Sequence, residues 1–144
     1  MVSTTLPQTR SQSKAKTIAY WIITALISFE LVQGALWDFN VVNPGYVYDV
    51  LRQLGYPLYL AGILGISKLV AAAIFLMPGV RLWKEWAYAG VVILFTGAWV
   101  SHLLVGDGSE KFIWSMLFDL LTIASWALRP YSRRLNRIEE QHKQ

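Results

Sequence analysis

The 144-residue sequence is 55% hydrophobic and 15% charged, whereas soluble domains carry roughly 25% charged residues. It contains no cysteine, which excludes disulfides, thiol redox relays and Cys-ligated iron–sulfur or zinc centres. The net charge of +4 does not indicate nucleic-acid binding, because the basic residues cluster at the chain ends and in one hinge, as in membrane proteins. The composition therefore predicts an integral membrane protein.

The N-terminal part of the chain changes from polar to apolar at about residue 17. Residues 1–16 lack apolar periodicity and are interpreted as a disordered cytoplasmic tail. A first span over 17–37 follows, and Glu30, Gln33 and Trp37 share one face of it. Because a polar face in a membrane helix points away from lipid, this face is predicted to line the interior of a helix bundle.

The connection after the first span is too polar to cross a bilayer. Its residues 44–54 are predicted to form an amphipathic helix on the outer membrane surface. The second span, 57–77, carries Lys68 at its midpoint on a face of small residues, which indicates a close helix contact. A lysine at this depth needs an acidic partner, and Glu30 and Asp119 are the candidates.

Two further spans complete the predicted bundle. The third covers 85–105 and ends in Ser101 and His102, and the fourth covers 112–128. The fourth span presents polar and aromatic residues on one face, namely Ser115, Asp119, Thr122 and Trp126. Residues 129–144 form a basic tail.

The distribution of Lys and Arg predicts the orientation. Three lie in the N-terminal tail, two in the hinge between the second and third spans and five in the C-terminal tail, whereas only Arg52 and Lys111 lie on the other side. Basic residues favour the cytoplasmic side of a membrane. The sequence therefore predicts an all-α bundle of four transmembrane helices, over 17–128, with both termini cytoplasmic.

Four ionisable residues, one from each span, are the candidate ligand-binding or proton-binding site: Glu30, Lys68, His102 and Asp119. At 1.5 Å of rise per residue they are predicted to line one outward-facing cavity, with Gln33, Trp37, Ser101, Ser115, Thr122 and Trp126 in support. Such a cavity would suit a quinone carbonyl, a proton or a small cation. Two structural alternatives remain: an ion pair that only fixes helix packing, and an interfacial hydrogen bond from the histidine. The spacing of the possible ligands predicts no metal site.

A series of short motifs recurs along the spans and their connections: Leu54-Gly55-Tyr56-Pro57, Leu64-Gly65, Lys68-Leu69, Pro78-Gly79, Lys84-Glu85-Trp86-Ala87-Tyr88-Ala89-Gly90, Gly97-Ala98, Ser101-His102-Leu103 and Gly106-Asp107. In type and order these motifs resemble the DoxX-like family of small bacterial membrane proteins, over about residues 18–130. The resemblance implies a four-helix membrane bundle. It also implies five family polar positions, Lys68, Glu85, Ser101, His102 and Asp107, whereas Glu30 and Asp119 rest on physical grounds alone.

Relatives under the DoxX name are linked to quinone-reducing thiosulfate oxidation, quinol oxidase complexes and membrane oxidoreductase assemblies, and more distant animal proteins act as membrane chaperones or cargo receptors. The leading hypothesis is therefore a cytoplasmic-membrane protein that binds a quinone or another lipophile, with Trp37 and Trp126 stacking on the ring. It would serve a membrane redox partner as a subunit or accessory. The alternatives are a proton-coupled transporter of a small solute, most easily built as a homo-oligomer, and a non-catalytic membrane assembly factor.

Overall fold

A computed structural model describes residues 13–135. The predicted N-terminal tail lies almost wholly outside these residues, as does most of the C-terminal one. The described chain folds into five α helices and a short 3-10 turn at Tyr131–Arg133. The helices are α1 (Lys14–Asp38), α2 (Tyr46–Leu54), α3 (Leu60–Leu76), α4 (Arg81–Leu104) and α5 (Ser109–Leu128).

Local backbone chemistry sets the limits of α2. The helix begins at Tyr46 rather than at the predicted residue 44, because Asn43 is left-handed at φ 50° and Gly45, at φ 91°, precedes the first helical residue. The side chain of Asn40 accepts a hydrogen bond from the Gly45 N–H at 3.1 Å, which stabilises this turn. Gly55, at φ 76°, ends the helix in the left-handed conformation that glycine adopts without steric cost.

Three of the described helices, α1, α4 and α5, are long and apolar enough to cross a membrane. The apolar helix α3 has 17 residues and is shorter. Large apolar side chains such as Phe29, Ile93 and Leu104 are exposed on the outside of the helices. Their exposure is unfavourable in water but not in the hydrocarbon layer of a membrane. The fold is thus that of an all-helical, multi-pass membrane protein.

The four apolar helices α1, α3, α4 and α5 pack as a ring around a small core. α1 contacts α3 and α5, and α4 contacts α5 and α3, while α2 lies against α1 and α3. The contribution of α3 to the core is mostly small side chains, Ala71 and Ala72. Small side chains let the backbone of a neighbouring helix come close. Its larger members are Ile27, Leu31, Phe75, Tyr88, Val91 and Phe95.

A buried lysine joins the end of α3 to the start of α4. Lys84 has no exposed surface, and its ammonium donates hydrogen bonds to the carbonyl oxygens of Ile74, Phe75 (3.1 Å) and Met77 (2.6 Å). The last carbonyls of a helix have no partner within the helix, and a cation there also complements the helix dipole. Lys84 therefore caps α3, a role that its position in a basic hinge did not predict.

Candidate functional site

Lys68 forms an ion pair with Asp38, the last residue of α1. The Lys68 Nζ and Asp38 Oδ2 atoms are 2.7 Å apart, and the two side chains are 15% and 5% exposed. The lysine crosses α1 at Gly34, where a Cβ atom would lie only 3.2 Å from Nζ. Because Gly34 has no side chain, it leaves room for the Lys68 ammonium to reach the Asp38 carboxylate.

The predicted partner Glu30 lies on the same face of α1 but does not pair with the lysine. Glu30 is half-buried, and its side chain makes no hydrogen bond or ion pair within residues 13–135. It interacts with Lys68 only through the longer-range attraction between their charges. Asp119 is also bonded elsewhere. The prediction that Lys68 pairs with Glu30 or Asp119 is therefore wrong: the acid is Asp38, which sequence reasoning assigned to the connection after the first span.

A groove of about 520 Å³ separates α3 from α4, and Lys68 is one of its lining residues. Its walls are otherwise mostly aliphatic, with Ser67 as a second polar group and Trp83 and Trp86 on the α4 side. Trp86 and Ile93 are exposed on the apolar outer surface. The groove therefore opens sideways, toward the region that lipid would occupy.

Asp119 is held by α4 and is a separate site from Lys68. Both Thr96 Oγ1, at 2.7 Å, and Trp99 Nε1, at 3.1 Å, donate to Asp119 Oδ2. The other oxygen, Oδ1, is buried and has no hydrogen-bond partner within residues 13–135. The described residues therefore satisfy only one of the two carboxyl oxygens.

His102 belongs to a polar cluster at the connection between α4 and α5. Its Nδ1 atom lies 2.6 Å from Asp107 Oδ2, while Asp107 Oδ1 accepts from Gln53 Nε2 at 2.6 Å and from Lys111 Nζ at 3.3 Å. The hydrogen bond with His102, aided by Lys111, holds the pKa of the Asp107 carboxyl below its ordinary value. This cluster ties α2 to the loop before α5.

Ser101 joins α4 to the turn that follows α2. Its hydroxyl lies 2.8 Å from the Tyr56 hydroxyl and donates to the Gly97 carbonyl at 2.6 Å. Ser101 and His102 thus face the connection that carries α2. Neither the bond of Tyr56 to Ser101 nor that of Gln53 to Asp107 was predicted, because both depend on where α2 docks.

The four predicted ionisable residues do not bond to one another in the described part of the chain. Within the described residues, no hydrogen bond or ion pair joins any two of Glu30, Lys68, His102 and Asp119. The structure distributes them over an α1–α3 pair, an α4–α5 contact and the α2 tie. These bonds do not bring the four residues together, and their sharing one outward-facing cavity stays a prediction.

The supporting residues are also dispersed. Gln33 is exposed and Ser115 half-buried, and the Thr122 hydroxyl bonds back to the Phe118 carbonyl at 2.7 Å. Trp37 packs edge-on against Tyr46 at the end of α1, whereas Trp126 donates to Glu85 at the start of α4, 2.9 Å away. Because these tryptophans lie at opposite ends of the bundle, the prediction that both stack on one ligand ring is wrong.

Sequence reasoning missed a polar group at the end of the bundle where α4 begins. Glu85 pairs with the buried Arg129 at 2.6 Å, and the Arg129 guanidinium lies 4.9 Å from the centre of the Tyr88 ring. The Tyr88 hydroxyl in turn lies 2.8 Å from Ser125 Oγ. Sequence reasoning named Glu85 only as one of the family polar positions and placed Arg129 in the basic tail, so their pairing was not predicted.

A family model described as the DoxX-like family matches residues 22–125, from the first half of α1 to near the end of α5. No curated protein and no solved structure matches the chain. The matched range contains the Lys68–Asp38 pair, the α3–α4 groove, Asp119 and the His102–Asp107 cluster, and it covers well over half of the sequence. The chain belongs to the DoxX-like family.

Proposed function

We propose that this protein crosses the cytoplasmic membrane four times and binds a lipophilic small molecule, a quinone above all, in the groove between α3 and α4. The observation that carries the proposal is the groove itself: it is apolar, opens sideways and includes one cationic side chain, Lys68. A membrane redox system would use the protein as a subunit or accessory.

The fourth crossing in this proposal is α3. Its 17 residues extend about 25 Å at 1.5 Å per residue, and a turn at 57–61 with hydrogen bonds from Leu60 N–H and Ala61 N–H lengthens it at one end. Because α3 packs between α1 and α4, both of which are long enough to span, it runs through the same layer.

Both termini are cytoplasmic in this proposal. The basic side chains of the described residues concentrate at the end where α3 stops and α4 starts: Lys84 caps α3, Arg81 donates to the Ser132 carbonyl and Arg133 donates to the Phe75 carbonyl. Lys14 and Lys16 begin α1, and Arg133 lies over Trp21 of the same helix, 4.3 Å from the ring centre. This concentration follows the preference of basic residues for the cytoplasmic side.

The chemistry of the groove suits a ring that carries oxygen acceptors. A volume of about 520 Å³ lies within the range of small-molecule sites. The Lys68 ammonium has three N–H donors; one of them bonds to Asp38 on the α1 side, and in this proposal a ligand carbonyl takes another. Trp83 and Trp86, rather than Trp37 and Trp126, supply aromatic faces. One ammonium and one hydroxyl favour binding over self-contained catalysis, hence the accessory role.

The proposal is tested by titrating the purified protein in mild detergent with decylubiquinone and following tryptophan fluorescence, since Trp83 and Trp86 line the groove. Gly90→Leu places a side chain in the groove without a steric clash, because a Cβ at Gly90 meets no atom within 4 Å. Gly97→Leu is the matched control, as Gly97 lies on the same helix, has the same open surroundings and does not line the groove.

We expect saturable quenching in the wild type and in the Gly97→Leu control, loss of saturation in Gly90→Leu and a weaker affinity in Lys68→Met. Equal quenching in Gly90→Leu and Gly97→Leu would show that the quinone partitions into the micelle or binds elsewhere, and it would refute the groove as the site.

A further inference from the structure

Seven nearly inaccessible polar side chains line up where α1, α4 and α5 meet, and none is more than 7% exposed. We call them the polar seam: Tyr20, Thr24 and Ser28 of α1, Tyr88 of α4, and Asp119, Thr122 and Ser125 of α5. The seam lies away from the α3–α4 groove, with which it shares no residue. It needs an explanation of its own, because buried polar groups are costly in an apolar protein interior.

The helix register makes the seam continuous. Thr24 Oγ1 lies 2.9 Å from Ser125 Oγ, which also lies 2.8 Å from the Tyr88 hydroxyl. The start of α1 lies beside the segment that follows α5, because Arg133 packs on Trp21, so α1 and α5 run in opposite directions. Thus Ser28, one turn beyond Thr24, is level with Thr122, and Asp119 follows within about another turn.

Three atoms in the seam lack partners among the described residues: the Tyr20 hydroxyl oxygen, Ser28 Oγ and Asp119 Oδ1. Ser28 Oγ and Asp119 Oδ1 are sealed from solvent and make no hydrogen bond. The hydroxyls of Ser67, Ser101 and Thr122 bond back to the carbonyl four residues earlier, but Ser28 does not follow this usual arrangement. Its hydroxyl is therefore available to a group outside its own helix.

The Tyr20 hydroxyl extends the seam toward the Lys84 end of the bundle. It is also sealed, and it lies beside the Tyr88 hydroxyl without a well-aligned hydrogen bond. Buried groups of this kind are normally satisfied by ordered water, and each such water makes about three hydrogen bonds. Hydroxyl groups that recur once per helical turn on facing helices can supply each water with about that number of hydrogen-bond partners.

We infer that the polar seam binds a short file of ordered water molecules that connects Asp119 with the Tyr88–Ser125 pair. Water at Ser28 and Thr122 would bridge the interval between the two ends, and Asp119 Oδ1 would receive the donor that residues 13–135 do not supply. The file would give Asp119 a hydrogen-bonded route toward the Arg129 end of the bundle. This inference is independent of the proposed quinone site.

Radiolytic hydroxyl labelling of the full-length protein in detergent tests the inference, because radicals formed from bound water label the side chains beside it. Tyr20 is the reporter and Phe95 the control, since both are buried aromatic residues and only Tyr20 lies in the seam. Tyr20 labelled several-fold faster than Phe95 is the expected result. Equal, slow labelling would overturn the inference, and a Ser28→Val variant should reduce the Tyr20 rate to that of Phe95.

The sign of one stability change provides a second test. If water bonds the Ser28 hydroxyl, Ser28→Ala breaks the file and lowers the midpoint of thermal unfolding. If the seam is dry, the same change removes an unsatisfied hydroxyl and the midpoint stays the same or rises, which would overturn the inference. Ser67→Ala is the control for loss of a hydroxyl, because Ser67 is exposed and bonds only to its own helix.

Discussion

Replacing Lys84 by methionine tests whether a buried cation stabilises the junction of α3 and α4. Methionine keeps the length of the side chain but cannot donate to the carbonyls of Ile74, Phe75 and Met77. The Phe75 carbonyl retains one donor, because Arg133 Nη1 also bonds to it at 3.1 Å. Two helix-terminal carbonyls therefore lose the donor that Lys84 provides.

The expected cost follows from these two carbonyls. An acceptor left without a partner costs about 1–3 kcal/mol when it is fully buried. The bonds to Ile74 and Met77 are only part-buried, so each loss lies near the lower end of that range. Removing the ammonium also removes the cost of keeping it away from water, which offsets part of this loss. We therefore expect Lys84→Met to lower the free energy of unfolding by about 1–2 kcal/mol.

The measurement is unfolding of the purified protein in mild detergent by added dodecyl sulfate, followed by circular dichroism at helix wavelengths. Lys111→Met is the matched control, because Lys111 is 38% exposed and its bonds to Asp107 and Gln53 are 3.3 Å long. Exposed pairs of this kind contribute about 0–1 kcal/mol. If both variants lost equally little stability, the capping role assigned to Lys84 would be refuted.

Three further predictions concern the rest of the bundle. Gly34→Leu should displace the nearby lysine from its aspartate and lower the thermal midpoint, whereas Gly97→Leu, which meets open space, should not. Because the folded-state pKa of Asp107 is lowered, its stabilising effect is present at neutral pH and is lost below about pH 4; thermal unfolding of Asp107→Asn should show a smaller acid-induced loss. Since the chain lacks cysteine, an impermeant maleimide should label Ser109→Cys on intact cells and Ser132→Cys only after permeabilisation; the opposite pattern would invert the topology.

The course of the helices could be predicted because apolar length is a local property of the sequence. Runs of about 20 apolar residues imply helices of membrane length, and α1, α4 and α5 have that length. Gly55 also marks the end of α2 locally, through its positive φ. The start of α2 was less predictable. The backbone of Asn43 is left-handed, and the turn before the helix is stabilised by the hydrogen bond from the Gly45 N–H to the Asn40 side chain.

The partner of Lys68 could not be predicted from the sequence, which offered Glu30 of the first span and Asp119 of the fourth but not Asp38. Glu30, Gly34 and Asp38 are four residues apart and share one face of α1, so the pattern does not distinguish the two acids. The choice depends on which way the lysine extends from the middle of α3. It extends toward the end of α1, as long basic side chains do when they reach from an apolar layer toward its polar border.

Polar residues identify the interior of this bundle better than apolar ones, for a physical reason. Lipid is as favourable to aliphatic side chains as a protein core is, so apolarity does not determine which face is buried. Phe29 and Ile93 accordingly point outward, while Thr24, Asp119 and Ser125 are sealed inside. Ser67 is exposed and instead satisfies its hydroxyl within its own helix. A buried polar side chain that makes no such bond, as at Ser28, is therefore a direct indication of an internal partner.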